Sequence, residues 1–408
     1  MNAPTKVLLA NSCGVGRGHV VNLRVAAQAL GPGFVFDAAL ARRRHEDELT
    51  GPLGAQVISA PVLAFGPHSQ STPARGSSAT WGQYMADIGL CLPDMVRSHL
   101  RWWRDRIVDS NASVLIADVA PLALLAARGL QAEGWQIETI LAGTGYSAPP
   151  ADLPAYPILL PDVALLGHDE AQVLARLNEV LTGEGIAPLP TFPDILRCDV
   201  PFPTSLALLD PYADARGMWP TLPPLDDLPP RASEAADEVF IYVSTDTGRN
   251  GAVLALLADL PLPRRGYIPG LTPAEAQALT ASGMILHDRP LPLVDIAART
   301  RLFVNLGQHG TLIMGALMGL PQVALTQHLE HLFHARRLEA EGVCVIRRPH
   351  QMAHEAARAA ILAAYADATM TTKARDLAGR LRAAHPADVA AVRATRLAPA
   401  AERARSYG

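Results

Sequence analysis

The sequence predicts an α/β protein of two parallel-sheet domains, and three observations support this class. Short apolar runs alternate with amphipathic stretches in two separate series, and a proline-rich segment lies between them. Strands that alternate with helices form a parallel sheet covered on both faces. The chain has 408 residues, which at about 100–200 residues per domain is enough for two domains with separate cores.

The first series occupies the amino-terminal half. Its strands are predicted at residues 7–10, 34–36, 57–58 and 114–117. A glycine loop and a helix-like stretch at residues 21–30 follow the first strand, and the pattern over about 84–109 predicts one long helix.

The second series has predicted strands at residues 238–244, 285–286, 302–305, 323–325 and 343–346. Residues 187–231 contain 11 prolines, which disfavour long helices and central strands. We therefore predict an N-terminal domain over residues 1–200, a linker over 201–235 and a C-terminal domain over 236–372. The Ala/Arg/Leu-rich tail, residues 373–408, is predicted to be helical.

Charge and hydropathy exclude some classes of protein. With 35 Lys and Arg against 39 Asp and Glu, the chain lacks the excess charge of a nucleic-acid-binding protein, so no nucleic-acid partner is expected. The longest apolar runs, residues 114–127 and 312–325, are 14 residues each, whereas a membrane-spanning helix needs about 20. No transmembrane segment is predicted, and a peripheral membrane contact stays open.

The cellular compartment is predicted from the amino terminus and the cysteines. The first residues lead directly into a strand pattern without a charged-then-apolar signal region. The four cysteines are scattered along the chain and predict free thiols: Cys13, Cys91, Cys198 and Cys344. Both features favour a cytoplasmic protein.

A first glycine loop, residues 11–19, joins a predicted strand to a predicted helix. Such a loop brings backbone and side chains to a ligand at the carboxyl edge of a sheet. A dinucleotide-binding loop is one interpretation, because Asp37 follows at the expected distance, but His19 replaces the third glycine of G-x-G-x-x-G. An NAD(P)-dependent oxidoreductase is therefore kept as a less favoured alternative.

A second glycine loop, residues 303–311, again joins a strand to a helix. The unpaired amides and positive dipole end of a helix start suit a diphosphate. Gly319-Leu320-Pro321 follows, and a histidine-rich segment then runs over residues 326–338. The order and spacing of these parts make the pattern specific.

Here the sequence resembles the UDP-glycosyltransferase superfamily, including its antibiotic-modifying members. The residues that carry the resemblance are Gly307, Gly310, Thr311, Gly319, Pro321, Glu330 and Ala335, with Arg336-Arg337-Leu338 after them. The resemblance implies a GT-B fold, in which two Rossmann-like domains face each other across a cleft, and a tail helix that packs back on the N-terminal domain. It also implies inverting transfer of a sugar from a nucleotide diphosphate, of UDP or dTDP type, to a small-molecule or lipid-like acceptor.

The resemblance assigns donor-binding roles residue by residue. Diphosphate contacts fall on Ser244, Thr245, Arg249, Gly307, Gln308, His309, Gly310 and Thr311; base contacts on Arg289, Pro290 and Leu291; sugar contacts on Glu330, His331 and His334. The chain departs from the family pattern at several positions. Leu306 replaces the family's diphosphate-binding histidine, Gln308 replaces its second glycine, and Met314 replaces the ribose-binding glutamate of many members. It departs further at Thr326 for proline, His331 for glutamine and His334 for asparagine. A catalytically silent sugar-nucleotide-binding or helper protein is therefore the alternative from another class.

The catalytic residues implied by the resemblance are His19 and Asp118. In the family, a histidine in the first glycine loop is the general base, and an aspartate after a later strand orients it. Asp118 follows the strand predicted at residues 114–117, and neighbouring parallel strands end at the same sheet edge. Taken alone, each residue is more simply a helix cap or a solvent-facing side chain.

Other conspicuous side chains receive structural interpretations. His328, His331 and His334 share one helix face, but the spacing of a zinc-binding helix is absent, so neither a metal nor another cofactor is expected. Trp81, Trp102 and Trp103 are favoured as packing residues over an acceptor pocket.

Overall fold

A computed structural model describes residues 4–14, 16–71, 77–162, 164–243, 251–326, 329–348 and 353–407 of the chain. The chain forms two compact units. The first comprises Met1–Pro224 and Asp388–Gly408, and the second comprises Leu225–Ala387.

The strands follow one another along the chain as β1 (Thr5–Asn11), β2 (Phe34–Leu40), β3 (Gln56–Ser59), β4 (Ser77–Ser78), β5 (Val114–Asp118), β6 (Glu138–Thr144), β7 (Ala164–Leu165), β8 (Val200–Thr204), β9 (Glu238–Tyr242), β10 (Arg264–Tyr267), β11 (Ile285–His287), β12 (Thr300–Asn305), β13 (Gln322–Leu325) and β14 (Cys344–Arg347). The helices are α1 (Arg17–Ala29), α2 (Asp47–Leu53), α3 (Trp81–Met85), α4 (Pro93–Ser110), α5 (Pro121–Ala132), α6 (Glu170–Gly183), α7 (Gly251–Ala258), α8 (Pro273–Ala281), α9 (Leu293–Arg299), α10 (His309–Met318), α11 (Leu329–Ala340), α12 (His354–Ala366), α13 (Ala368–Ala383) and α14 (Val389–Ser406).

The first unit contains a six-stranded sheet in the order β3-β2-β1-β5-β6-β8. All its strand pairs are parallel. The strand order reverses between β1 and β5, where Asn11 lies in register with Asp118. Ligands of open α/β sheets bind beyond the carboxyl ends of the strands at such a reversal point.

Alternate residues of β1 enter two cores, one on each face of this sheet. Leu8 and Ala10 pack with α4, α5 and α6, whereas Val7 and Leu9 pack with α1 and α14. The last helix therefore belongs to the first unit, and Arg403 fixes it there by donating to both carboxylate oxygens of Glu138 at 2.8 and 2.6 Å.

The second unit contains a six-stranded sheet in the order β11-β10-β9-β12-β13-β14. These pairs are also parallel. The order reverses between β9 and β12, so the loop that leads from β12 into α10 lies at a second ligand-binding point. Helices α7 and α12 supply much of the core on one face.

The single long helix predicted over about 84–109 is wrong. The chain instead forms α3, a π-helical turn at Ala86–Leu90 and then α4. Gly89 has a φ of 119°, and Pro93 is the first residue of α4. A positive φ cannot continue a right-handed helix, and proline favours a helix start, so two helices replace one.

Strand β8 begins at Val200, the last residue of the predicted N-terminal domain, and continues into the segment predicted to be a linker. It forms an edge of the first sheet and pairs with β6. Its two prolines fit this edge because neither has to donate an N–H to a second neighbouring strand. The carbonyl of Pro203 accepts from Leu222 N at 2.8 Å, and the carbonyl of Pro201 accepts from Arg396 Nη1 at 3.1 Å.

The tail predicted as one helical segment contains the end of α13 and the whole of α14. Pro386 lies between these helices, and α13 belongs to the second unit. None of the helices among the described residues combines the length and apolar character that crossing a membrane requires.

Candidate active site

The loop between β1 and α1 brings its backbone against a histidine ring. Gly14 has a φ of 93°, and a Cβ added there would lie 2.3 Å from His19 Nε2. Any other residue would therefore meet both backbone strain and the imidazole. The glycine allows the ring of His19 to lie directly over the loop.

His19 and Asp118 meet as the resemblance implied. His19 Nδ1 lies 2.6 Å from Asp118 Oδ1, and Asn22 Nδ2 donates to Asp118 Oδ2 at 2.8 Å. Asp118 is fully buried. Asn11 lies in register with Asp118 on the neighbouring strand. Its Nδ2 atom donates to the Asp118 carbonyl at 3.0 Å. The carboxylate is therefore held through both its side chain and its backbone.

The backbone that follows Asp118 is strained. Val119 has a φ of 45°, a left-handed conformation that costs a β-branched residue about 1–2 kcal/mol. Its carbonyl accepts from Ser12 N at 3.4 Å, and the Ser12 carbonyl accepts from Leu63 N at 2.8 Å. The first bond joins the loops that follow β1 and β5, and the second joins the loop after β1 to the segment after β3. Such strain is concentrated at functional sites.

The contact with Asp118 fixes which nitrogen of His19 carries the hydrogen in the neutral ring. A carboxylate accepts hydrogen bonds but cannot donate them, so Nδ1 carries the hydrogen in the neutral ring. Nε2 then has a lone pair that can take a proton. The side chain of His19 is 29% exposed, and the buried carboxylate would stabilise its imidazolium form. The pair can act as a general base.

In the second unit, a tight turn leads from β12 into α10. Gly307 has a φ of 85°, and Asn305 Oδ1 accepts from its N–H at 2.8 Å. A Cβ at Gly307 would come within 3.1 Å of the Cβ and carbonyl oxygen of His331. The turn therefore depends on glycine, and it brings α11 close to the start of α10.

The start of α10 presents backbone donors. Its first intrahelical hydrogen bond runs from Leu312 N to Gln308 O at 2.9 Å, so the N–H groups of His309, Gly310 and Thr311 project from the helix end. Gly310 is exposed, and a Cβ on it would meet no described atom within 4 Å. Open space in front of these donors suits an anion.

Histidines of α10 and α11 form a cluster beside these donors. The ring centroids of His309 and His334 are 4.9 Å apart. Burial lowers the pKa of His309 to about 4. Burial, together with His309 and His331, lowers the pKa of His334 well below its usual value of 6.5. Both rings are therefore neutral at pH 7.

The predicted sugar-binding residues differ in their access to solvent. Glu330 is partly buried, His331 is 9% exposed and His334 is fully buried. A direct hydrogen bond from His334 to a donor sugar would require the ring to be uncovered, because it packs against His309 and Phe333.

We expect the low pKa values of the cluster to make stability pH-dependent. Between pH 4 and about 6.5 the unfolded chain binds more protons than the folded chain, so the free energy of unfolding falls as the pH falls. His309→Gln should reduce the decline of the Tm between pH 7 and pH 5. The control is His354→Gln, which changes an exposed ring of the same unit. If the Tm changes with pH equally in the wild type, His309→Gln and His354→Gln, the prediction is contradicted.

The structure separates the remaining predicted residues. Ser244, Thr245, Arg249 and His328 lie outside the described residues. Arg289, Pro290 and Leu291 follow β11, on the same sheet edge as the α10 start but three strands from β12, which is about 14 Å. Arg289 and Pro290 are exposed, and Leu291 packs on the core.

The tryptophans pack in the first unit. Trp103 is fully buried and lies in the same core as Trp81, with Trp102 packed against it. Trp81 Nε1 donates to the Tyr146 carbonyl at 2.6 Å. Among the described residues, the group whose side chains could together hold a metal is Asp259, His354 and Glu355, all exposed.

The sequence matches no protein-family model and no curated protein. The fold, however, is similar to solved structures over almost its whole length. CalG4, the calicheamicin glycosyltransferase, has a TM-score of 0.65 and 17% identity, and the match covers 97% of this chain and 98% of that chain. The spinosyn rhamnosyltransferase SpnG, complexed with thymidine diphosphate, has a TM-score of 0.62 and 17% identity over 95% of this chain and 98% of its own. Glycosyltransferase VinC, in complex with DTDP, has a TM-score of 0.61 and 13% identity over 98% of this chain and 100% of its own. The chain has the GT-B fold.

Within this GT-B chain, the sequence interpretation missed two polar contacts and one steric requirement. Asn22 and Asn11 hold Asp118, and Gly14 makes room for His19. Asn22 lies three residues after His19 on α1, and this spacing places two side chains on one helix face. That spacing was the signal available for Asn22, whereas the roles of Asn11 and Gly14 depend on the folded loop.

Proposed function

We propose that the protein is an inverting glycosyltransferase that moves a sugar from a nucleoside diphosphate sugar to a hydroxyl group of a small-molecule or lipid-like acceptor. The observation that carries the proposal is the His19–Asp118 pair at the reversal point of the first sheet. The GT-B fold shared with the antibiotic glycosyltransferases supports it.

In the proposed reaction, His19 Nε2 takes the proton of the acceptor hydroxyl. The acceptor oxygen forms a bond to the anomeric carbon while the bond from that carbon to the nucleoside diphosphate breaks. Displacement in line inverts the anomeric centre. Asp118 keeps the hydrogen of the neutral ring on Nδ1 and stabilises the imidazolium that forms. Its burial strengthens this interaction because no water competes for the carboxylate.

The donor diphosphate is proposed to bind at the start of α10. Helix-end N–H groups and the helix dipole would stabilise the leaving phosphates, so the proposal requires no divalent metal. The bound nucleotides named for SpnG and VinC favour a dTDP-type donor, with UDP as the alternative. Glu330 is proposed to bind hydroxyl groups of the donor sugar.

We expect Gly310→Val to weaken the binding of nucleoside diphosphates. The new side chain would project into the open space in front of the helix donors, and the fold would tolerate it because no described atom lies within 4 Å of the added Cβ. Gly379→Val is the matched control, since Gly379 is a helical glycine of the same unit with equally open surroundings. The affinities for dTDP and for UDP are measured by isothermal titration. If Gly310→Val binds these nucleotides as tightly as Gly379→Val does, the diphosphate site is contradicted.

Glu330→Ala is expected to separate sugar recognition from diphosphate recognition. The variant should bind the complete nucleotide sugar about 1–3 kcal/mol more weakly, the scale of a lost hydrogen bond to a charged group, and bind the bare nucleoside diphosphate as the wild type does. Activity should also survive exhaustive chelation with EDTA. Equal weakening of both ligands, or loss of activity on chelation with recovery in zinc, would overturn the sugar-binding assignment.

A thermal-shift screen tests the proposed class of ligand directly. A ligand that binds the native state raises the Tm, so dTDP or UDP should raise it and NAD should not. Stabilisation by NAD alone would favour the oxidoreductase. Stabilisation by a nucleoside diphosphate without turnover of any acceptor in a donor-hydrolysis and transfer assay would favour the silent binding protein.

A further inference from the structure

Phe65 is a large apolar residue that the first unit leaves in contact with solvent. It is 54% exposed and lies in the segment between β3 and β4. Single exposed apolar residues are common on protein surfaces and need no explanation. Phe65 differs from them because its backbone is fixed on both sides and because further aromatic rings pack against its own ring.

Hydrogen bonds hold the backbone on either side of Phe65. Before it, Leu63 N donates to the Ser12 carbonyl at 2.8 Å, which joins the segment to the loop after β1. After it, Gly66 N donates to Ser69 Oγ at 2.9 Å. The aromatic ring is therefore in position before a ligand arrives, and such preorganisation lowers the entropy that binding costs.

Two aromatic rings lie behind Phe65. The ring centroids of Phe65 and Tyr84 are 5.7 Å apart with 71° between the ring planes, and those of Tyr84 and Trp81 are 5.0 Å apart with 78° between the planes. These are edge-to-face contacts, an arrangement that aromatic rings prefer. Trp81 is buried, and its Nε1 donates to the Tyr146 carbonyl at 2.6 Å. The row of rings is thus fixed at its buried end and exposed at Phe65.

This row of rings lies beside the loop against which the proposed base packs. Tyr84 Oη lies 3.2 Å from Cys13 Sγ. Cys13 directly precedes Gly14, where an added Cβ would lie 2.3 Å from His19 Nε2. A molecule that covers the exposed ring of Phe65 can therefore extend along Tyr84 towards His19.

We propose that Phe65 is a specificity-determining residue that binds a flat, aromatic part of the acceptor. This inference rests on the proposed function for the statement that the ligand is an acceptor, whereas binding of the aromatic group is measured without a donor. A flat ring would remove the exposed apolar surface of Phe65 from water and would meet its ring in a stacked or edge-to-face geometry. A saturated ring system of similar size offers apolar surface but no aromatic face, so we expect it to bind more weakly.

The test compares two probes that carry the same hydroxyl group on a flat and on a saturated ring system, 2-naphthylmethanol and decahydro-2-naphthylmethanol. Both are primary alcohols on the same fused-ring carbon skeleton. Their binding to the full chain is measured without a donor by titration with saturation-transfer difference NMR. Transfer to each probe from dTDP-glucose and from UDP-glucose is measured in parallel as kcat and KM.

Three variants separate the aromatic character of Phe65 from its bulk. Phe65→Ala removes the ring, Phe65→Leu keeps an apolar side chain without an aromatic face, and Phe65→Trp keeps an aromatic face. The control is Val35→Ala, which changes an exposed apolar residue at the opposite edge of the same sheet, where Val35 lies in register with Lys6 near the start of β1.

We expect the wild type, Val35→Ala and Phe65→Trp to bind the naphthyl probe more tightly than the decahydronaphthyl probe. Phe65→Ala and Phe65→Leu should bind the naphthyl probe ~3–10-fold more weakly, the range of a lost aromatic contact, and its KM should rise by the same factor. Their kcat and donor KM should change little, because the contact is one of binding alone. Phe65→Leu should bind the decahydronaphthyl probe as the wild type does. If Phe65→Ala does not fold, Phe65→Leu decides the question.

Equal losses for both probes in Phe65→Leu would overturn the inference, because a merely structural role does not distinguish a flat ring from a saturated one. A wild type that binds neither probe, or that binds both equally, would overturn it as well. Binding of the naphthyl probe that depends on Phe65, without transfer from either donor, would count against the proposed function and leave the aromatic site standing. Transfer that is independent of Phe65 would do the reverse, so the two failures are distinguishable.

Discussion

His19→Ala is expected to lower kcat by ~10²–10⁴-fold, the range of a positioned general base. The affinity for the nucleotide donor should stay within a few-fold of the wild type, because the proposed donor-binding residues belong to the other unit of the chain. Loss of kcat at unchanged donor binding is the signature of an interaction made in the transition state. The measurement is steady-state kinetics combined with isothermal titration of the nucleoside diphosphate.

His354→Ala is the control for this variant, since it removes an exposed histidine of the second unit. It should leave kcat unchanged. A His19→Ala enzyme with wild-type kcat would remove the base assignment, and a His19→Ala enzyme that loses donor affinity by more than tenfold would indicate a role in the donor site instead.

Gly14→Ala is expected to reduce activity almost as strongly while the protein stays folded. The new Cβ would lie 2.3 Å from His19 Nε2, so the ring must move, and the atom that moves is the one proposed to take the proton. Strain at the left-handed backbone adds about 1–2 kcal/mol of destabilisation. Activity should fall far more than that loss of stability explains.

Two glycines of the same unit provide controls for the two effects. Gly31 has a φ of 79° and open space around its Cβ position, so Gly31→Ala introduces backbone strain without a clash. Gly18 lies in the first turn of α1 with open space, so Gly18→Ala introduces a methyl group without either effect. Both variants should retain kcat, with a lower Tm for Gly31→Ala. If Gly14→Ala behaves like Gly31→Ala, the contact with His19 has no catalytic consequence.

The alternation of apolar runs predicted the parallel class of the two six-stranded sheets and nine of their twelve strands, but it missed β6, β8 and β10 and did not predict the strand order. The meeting of His19 and Asp118 was implied by the resemblance to the UDP-glycosyltransferase superfamily, and the structure adds the register of Asn11 with Asp118. The left-handed backbone of Val119 was not predictable, since no local signal favours it in a valine and only the surrounding loops hold it there.

The break between α3 and α4 shows a second limit of predicting structure from the apolar pattern of a sequence. The apolar pattern continues through the π-helical turn at Ala86–Leu90, because these residues remain buried after the helix axis changes direction. Periodicity reports burial, and burial persists across such a break. Gly89 and Pro93 are the local sequence signals of this break.

The prolines of β8 also bear on how molecules of this protein behave in concentrated solution. An exposed strand at the edge of a parallel sheet is a template on which a second molecule can add a strand and begin to aggregate. Pro201 and Pro203 have no N–H to offer, and their carbonyls are already occupied by Arg396 and by Leu222. A strand from another copy would find neither donors nor available acceptors at these two positions. The first sheet is in this way protected along this edge against growth into intermolecular β-structure.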